Sequence, residues 1–194
     1  MRIDKKLIVA WLIAFSFVAS IALMSAAKPN DTANEVKEYY LANLDSLKYE
    51  VNEWQAALPQ LSQEAVQHRF KRARRYYKRI EFIVTYHFPV TSQQLNAANL
   101  LEAGVSKPNE PKYPTGFQVI EEAVFDEENF DKNTIRDELH GIQFALNRLL
   151  AGADELFLDQ SNILDALKLY IYRLITHGIT GFDSPVCLNS LPEA

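Results

Sequence analysis

The sequence has a single cysteine, Cys187, among its 194 residues. One cysteine cannot close an intramolecular disulfide, and covalent attachment of haem through C-x-x-C-H needs two. The chain is also poor in glycine, with 6, and contains no glycine-rich phosphate loop. Its net charge of −5 has the wrong sign for a typical nucleic-acid-binding protein. We therefore expect no thiolate zinc site, no covalent haem within this chain and no nucleic-acid partner.

The N-terminus has the composition of an export signal. Three basic residues precede an uncharged, mostly apolar run over residues 7–27, which ends in small side chains. This order is typical of a secretory signal, but about 20 apolar residues can also span a bilayer uncleaved. We predict a signal peptide or a membrane anchor over residues 1–27, with residues 7–27 as the anchoring part. In either case the mature domain (28–194) is expected in the periplasm or elsewhere in the cell envelope.

The remainder of the chain is patterned as amphipathic helices. Apolar residues recur at intervals of three and four, and no segment keeps the period of two expected for a strand. We therefore predict an all-α fold, an antiparallel bundle of about five helices after the hydrophobic N-terminal segment. The predicted helices cover residues 31–58, Ser62 to Phe88, Ser92 to Glu102, Gly116 to Phe125, a segment capped by Asn133 or Thr134, and Ser161 to Gly178.

Two features near the C-terminus bear on organisation. The last predicted helix carries an apolar stripe, namely Leu164, Leu167, Ile171, Leu174 and Ile175. After it, the segment Ser190–Glu193 has the Ser-x-x-Glu spacing of a capping box, so the chain stops where another helix would begin. A solvated tail and a chain truncated before a further domain are both open interpretations.

Three polar residues are candidates for a buried node or a metal site. Glu81 follows the core position Ile80, while Gln118 and Glu121 lie three apart on one face of a short helix. Carboxylates that project into a helical bundle can hold a metal. The other interpretation is a set of hydrogen-bonded structural groups that fixes the second and third helices.

A basic run from His68 to Arg79 is the candidate partner-binding surface. Arg72, Arg75 and Arg79 could receive an acidic protein, although a solvated face that is ion-paired within the chain is the simpler interpretation. No nucleophile motif is present, so we predict no catalytic residue. Asp183 and Ser184 precede a proline and are expected to cap backbone amides in a turn. Cys187 is expected to be a small buried apolar residue.

Two segments resemble the signature helices of imelysin-like domains, which are exported helical bundles that include an iron-uptake component. The segments are Arg72–Phe82 and Gly116–Phe125. In that family the second signature reads Gly-x-His-x-x-Glu, and its His and Glu are thought to bind metal. Glu121 stands at the Glu position and Gln118 at the His position, so the strongest transition-metal ligand of the motif is missing here.

The sequence is more closely similar to the helical region that precedes the haem domain in long bacterial di-haem cytochrome-c peroxidases. The resemblance spans roughly residues 32–193, and the matching segments are residues 77–82, 116–122, 181–185 and 188–193. It implies an exported accessory module with a docking or positioning role, whose partner is a haem protein or haem domain. Haem is then expected only in a C-terminal domain missing from this sequence, and peroxidase activity only where that domain follows.

The alternative implied by the resemblance is an imelysin-like periplasmic iron-binding protein. In that case Glu81 and Glu121 would be metal ligands, and Gln118 or water would complete the shell.

Overall fold

A computed structural model of the protein describes residues 29–97, 102–103, 111–126, 128, 130–184, 186–187 and 190–193. The predicted signal or anchor over residues 1–27 lies outside the described residues. None of the helices within the described ranges is both long enough and apolar enough to cross a membrane.

The described chain is built from helices, which confirms the predicted all-α bundle. Two very short antiparallel strands pair Glu102 with Lys112 and Ala103 with Pro111. The elements in chain order are α1 (Pro29–Ala57), a 3-10 turn (Leu58–Gln60), α2 (Gln63–His87), α3 (Pro89–Asn96), β1 (Glu102–Ala103), β2 (Pro111–Lys112), α4 (Phe117–Phe125), α5 (Lys132–Ala151), α6 (Gln160–Arg173), a π-helical turn (Leu174–Gly178) and α7 (Ser190–Glu193).

The core lies mainly between α1 and α2, where the apolar stripes read from the sequence are buried as expected. On α1 the stripe includes Leu44 and Trp54, and on α2 it includes Phe70 and Ile80. The two helices are joined by a short turn, and the side chain of Ser62 caps α2 by accepting a hydrogen bond from the backbone N–H of Ala65 at 3.3 Å.

Several predicted helix ends are wrong by a few residues. The third helix begins at Pro89 rather than Ser92, because proline suits the first helical turn, and it ends at Asn96, so that Glu102 belongs to β1. Asp131 caps α5 in place of Asn133 or Thr134. Its side chain accepts hydrogen bonds from the backbone N–H groups of both residues.

The end and the start of α6 also differ from the prediction. Asp159, not Ser161, is the cap and forms a capping box with Asn162. The regular helix ends at Arg173, and a π-helical turn continues it to Gly178.

Gly116 brings α3 and α4 together. Its φ of +87° belongs to the region that favours glycine, and a side chain at this position would collide with the backbone carbonyl of Leu95. The bridge between Asn96 and Gly116 places the C-terminal end of α3 beside the start of α4. The backbone N–H of Gly116 also donates to the Glu138 carboxylate of α5 at 2.6 Å.

The apolar stripe of α6 is largely exposed. Leu164, Ile171 and Ile175 are each 56% exposed and Leu167 is 39% exposed, whereas the buried residues of α6 are Ile163 and Ala166. The helix packs on α2 and α1 through that narrower side. We call these four residues the α6 apolar face, although Ile175 lies in the π-helical turn that continues the helix. The described part of the chain covers them only in part.

Candidate functional site

A cluster of charged side chains is buried beside the core of α2. Arg74, Lys78 and Glu81 are spaced by four and three residues and therefore share one side of the helix. Arg74 is 0% exposed, and Lys78 and Glu81 are nearly as buried. The run from His68 to Arg79 is expected to be a solvated face that is ion-paired within the chain. Arg74 and Lys78 are ion-paired within the chain, but the expected solvation is wrong for them, because acidic groups from the C-terminal part of the chain cover them.

Asp183 joins these side chains into one network. Its Oδ2 accepts from Lys78 Nζ at 2.5 Å and from Arg74 Nη2 at 3.1 Å, and its Oδ1 accepts from Asn96 Nδ2 at 2.7 Å. Its backbone carbonyl accepts a further bond from Arg74 at 2.6 Å. The carboxylate of Asp183 thus faces the cations of α2, which its expected role as a cap of backbone amides in a turn did not include. Gly181, with φ of +82°, makes the turn that leads into it.

Two further carboxylates complete the ion pairs. Glu81 accepts from Lys78 Nζ at 2.7 Å, and Glu193 accepts from Arg74 Nε at 2.6 Å. Burial by itself would lower the pKa of Arg74, but the nearby carboxylates of Asp183 and Glu193 raise it overall, so the guanidinium stays charged. Burial raises the pKa of Glu193, although Arg74 opposes that effect. The network therefore compensates charges that would be costly to bury alone.

Glu121 forms a second, adjoining contact with the C-terminal segment. It is fully buried, and its Oε1 accepts from Ser184 Oγ at 2.7 Å and from the backbone N–H of Cys187 at 2.8 Å. Its Oε2 has no hydrogen-bond partner among the described residues. The Ser184 hydroxyl thus donates to a buried carboxylate of α4. Burial, helped by Glu121, raises the pKa of Cys187 to about 12, which keeps the half-buried thiol protonated and unreactive.

The structure places the three predicted polar residues at the same end of the bundle, all of them buried. Glu81 and Glu121 are linked indirectly, because Lys78 binds both Glu81 and Asp183, and the next residue, Ser184, binds Glu121. Gln118 lines a cavity together with Asn96 and Asp183. Across the described ranges no group of three or more His, Cys, Asp or Glu residues is arranged to hold a metal ion.

The predicted partner-binding arginines differ in their contacts within the chain. Arg72 forms an ion pair with Glu50, which also accepts from Arg69 at 3.0 Å. Arg79 lies over the ring of Tyr76, 5.6 Å from its centre, and donates to Asn43 at 3.4 Å. Arg75 is exposed. The basic face is thus partly neutralised by a carboxylate of α1.

The fold and the site together define a helical bundle whose C-terminal segment is bound to α2 by buried ion pairs and to α3 and α4 by hydrogen bonds. No protein-family model matches the chain, and no curated protein sequence matches it significantly.

Sequence reasoning missed Arg74, Lys78, Asn96, Asp183 and Glu193 as members of the network. One signal was available: Arg74, Lys78 and Glu81 each follow a core residue of α2 directly, so they form a second stripe beside the apolar one.

Proposed function

We propose that this chain is an exported accessory module of a di-haem cytochrome-c peroxidase system, which docks and positions a haem protein or haem domain and performs no catalysis itself. The observation that carries the proposal is the α6 apolar face. A row of large aliphatic side chains exposed along one helix is typical of a surface that another protein covers.

The shape of the face suits a helical or grooved partner surface. Leu164, Leu167, Ile171 and Ile175 follow one another at three- and four-residue spacing, as do the anchors of an amphipathic helix that packs into an apolar groove. The chain continues with two more exposed apolar side chains, Ile179 and Phe182. Lys168 and Asp165 form an exposed ion pair beside the face, which gives it a polar rim of the kind found at protein interfaces.

The buried network supports a positioning role rather than a reaction. Its cations and carboxylates are already engaged with one another at hydrogen-bond distance, as Lys78 and Asp183 are at 2.5 Å. They join helices α2 and α3 to Asp183, in the segment that follows α6 and its π-helical turn. A bundle fixed in this way presents α6 in one orientation.

The exposed part of the basic face contributes to orientation. Arg75 and Arg79 are exposed on α2 and can attract an acidic region of the partner. Such contacts accelerate encounter and select the orientation more than they add affinity. Arg72 contributes less, because Glu50 already compensates its charge.

Purification of the native product from its source tests the proposal. Antibody capture of the wild-type chain should bring down haem, measured by its Soret absorbance, in stoichiometric amount. Ile171→Asp in the full chain places a charge in the middle of the α6 apolar face and should disrupt the docked arrangement. Val90→Asp makes the same kind of change at a 61% exposed aliphatic position on α3 and serves as the control.

The two variants are compared by measuring how fast a protease cleaves α6 in the captured product. We expect cleavage within α6 to be at least tenfold faster in Ile171→Asp than in Val90→Asp. A wild-type product without haem, or equal cleavage in the two variants, would overturn the proposal.

An imelysin-like metal-binding function is the second candidate, and it is favoured by one observation. Glu121 Oε2 is buried without a hydrogen-bond partner in the described part of the chain, and such an atom could ligate a cation. Elemental analysis of the purified chain distinguishes the two candidates. Stoichiometric iron that is lost in Glu121→Ala but retained in the control Glu122→Ala, a change at an exposed position, would favour metal binding over the docking proposal.

A further inference from the structure

The loop between α5 and α6 presents a phenylalanine to solvent. Phe157 is 73% exposed, whereas its neighbours Leu156 and Leu158 are buried. The carbonyl of Leu156 accepts a hydrogen bond from Lys37 Nζ at 2.9 Å. The carbonyl of Phe157 itself accepts one from Asn162 Nδ2 at 3.2 Å. The outward direction of the ring is therefore imposed by the packing and hydrogen bonds on either side of it.

Phe157 lies at the end of the bundle where α1 begins. It lines a cavity of about 250 Å³ together with Ala33, Asn34 and Lys37. These three residues belong to the first turns of α1, within about 12 Å of Pro29 along the helix axis at a rise of 1.5 Å per residue. The exposed ring and the start of α1 are therefore close neighbours.

The sequence that leads into α1 is the uncharged, mostly apolar run over residues 7–27. Lys28 alone separates this run from Pro29, the first residue of α1. A run of this length crosses a bilayer when it is retained, and the polar layer on each side of the hydrocarbon is about 5–8 Å thick. A retained anchor would thus hold the start of α1 at the membrane surface, with Phe157 within reach of the lipid.

The charges around Phe157 indicate an apolar contact with lipid. Asp154, Glu155 and Asp159 are exposed on either side of it, and they would repel anionic headgroups. Lys37 is already bound to the carbonyl of Leu156. Insertion at this end therefore depends on removing the phenylalanine ring from water, and a bilayer of neutral lipid suits it best.

We propose that residues 7–27 remain as a membrane anchor and that Phe157 inserts into the lipid interface beside it. The bundle then touches the bilayer at two points, the anchor and the α5–α6 loop, which restricts its rotation about the anchor. The contact goes beyond the docking proposal and does not depend on it, because Phe157 lies outside the α6 apolar face.

Phe144 on α5 offers a matched control at the other end of the bundle. It is 64% exposed, so it resembles Phe157 in type and in exposure. The preceding residue, Gln143, donates to Asn52 at 2.6 Å. Asn52 lies about 35 Å from Pro29 along α1. Phe144 is therefore too far from the start of α1 to reach the same lipid interface.

Tryptophan fluorescence in lipid vesicles tests the contact. The full 194-residue chain is reconstituted into vesicles of neutral phosphatidylcholine whose acyl chains carry bromine close to the headgroup, and into unbrominated vesicles. Bromine quenches a tryptophan that contacts the lipid. Phe157→Trp is compared with Phe144→Trp, and the wild-type signal, from Trp11 in the predicted anchor and Trp54 in the core, is subtracted from both.

We expect bromine to quench the fluorescence added by Phe157→Trp at least threefold more strongly than that added by Phe144→Trp. Trp11 should be quenched in the wild-type chain, because the anchor places it in the bilayer. Equal quenching of the two added tryptophans would overturn the proposal, since lipid would not distinguish the two ends of the bundle. A wild-type chain without any quenching would overturn it as well, because the anchor would be absent.

Discussion

Helices α2 and α6 have the same kind of sequence pattern but different surroundings. Both carry aliphatic and aromatic residues at three- and four-residue spacing. On α2 the stripe is buried, with Phe70 and Ile80 at most 1% exposed, whereas on α6 the residues Leu164 and Ile171 are 56% exposed. Periodicity therefore identifies the apolar side of a helix but does not identify what covers it. The rest of the bundle covers the stripe of α2, and we propose that a docked partner covers the exposed stripe of α6.

The two helices also differ in how their charges are used. The charged residues beside the core stripe of α2 are buried and bound to the distant Asp183. On α6, Asp165 and Lys168 pair with each other at 2.9 Å on the surface. Removing one partner from the first set leaves a buried charge uncompensated, which is costly, while solvent screens the second set.

The largest expected effect is on the buried network. Asp183→Ala would leave the buried Arg74 and Lys78 without their shared partner, and we expect a loss of about 3–5 kcal/mol in the free energy of unfolding. Asp165→Ala, which breaks the exposed pair on α6, should lose about 0.5 kcal/mol. Chemical denaturation measures both. A similar loss in the two variants would show that burial does not distinguish these ion pairs.

A matched pair of isoleucines compares the two apolar stripes directly. Ile80→Ala empties a buried position on α2 and should reduce the free energy of unfolding by about 2–5 kcal/mol. Ile171→Ala on α6 should change it by about 0.5 kcal/mol or less in the chain alone, because the side chain is largely in solvent. A large loss at Ile171 without a partner would mean that the α6 apolar face is already covered.

Loss of the N-terminal side-chain cap should reduce stability by the same amount in α2 and in α6. Ser62→Ala removes the side-chain cap of α2, and Asp159→Ala removes that of α6; each should reduce the free energy of unfolding by about 1 kcal/mol. Capping is a local effect, so it does not depend on what covers the helix. If Asp159→Ala had no effect, α6 would be frayed in the chain alone, and its exposure would not describe a preformed docking surface.

The smallest effect concerns pH. Burial lowers the pKa of His87, at the end of α2, below its usual value of 6.5. The unfolded chain therefore binds a proton more readily, and stability is lost as pH falls below 6.5 towards the pKa of the folded state. His87→Gln should make the melting temperature less sensitive to pH between 7 and 5. An unchanged pH profile would contradict this assignment.

The sequence was sufficient to predict the long helices and the apolar stripe of α2. The period of 3.6 residues, Pro59 and the Ser62 cap are local features, so α1 and α2 could be predicted to within a few residues. The caps of α5 and α6 were harder, because several capping residues lie within three positions of each other in both segments. Backbone conformation chooses Asp131 and Asp159, and composition does not reveal it.

The candidate site could be predicted only in part. Glu81, Gln118 and Glu121 could be placed at the edge of the core from their positions on helices. Glu121 binds Ser184, which is 63 residues away along the chain, and Lys78, the partner of Glu81, binds Asp183, which is 105 residues away. No helical periodicity reports contacts over such distances. Arg74 and Lys78 were misplaced for the same reason, since their burial depends on a segment that only the tertiary fold brings to them.

Amide hydrogen exchange in α6 tests the docking account most directly. The native product captured from its source is compared with the full 194-residue chain alone. If a haem protein or haem domain covers the α6 apolar face, the amides from Leu164 to Gly178 should exchange at least tenfold more slowly in the native product, while those of α1 change little. Equal exchange of α6 in the two samples would contradict the account.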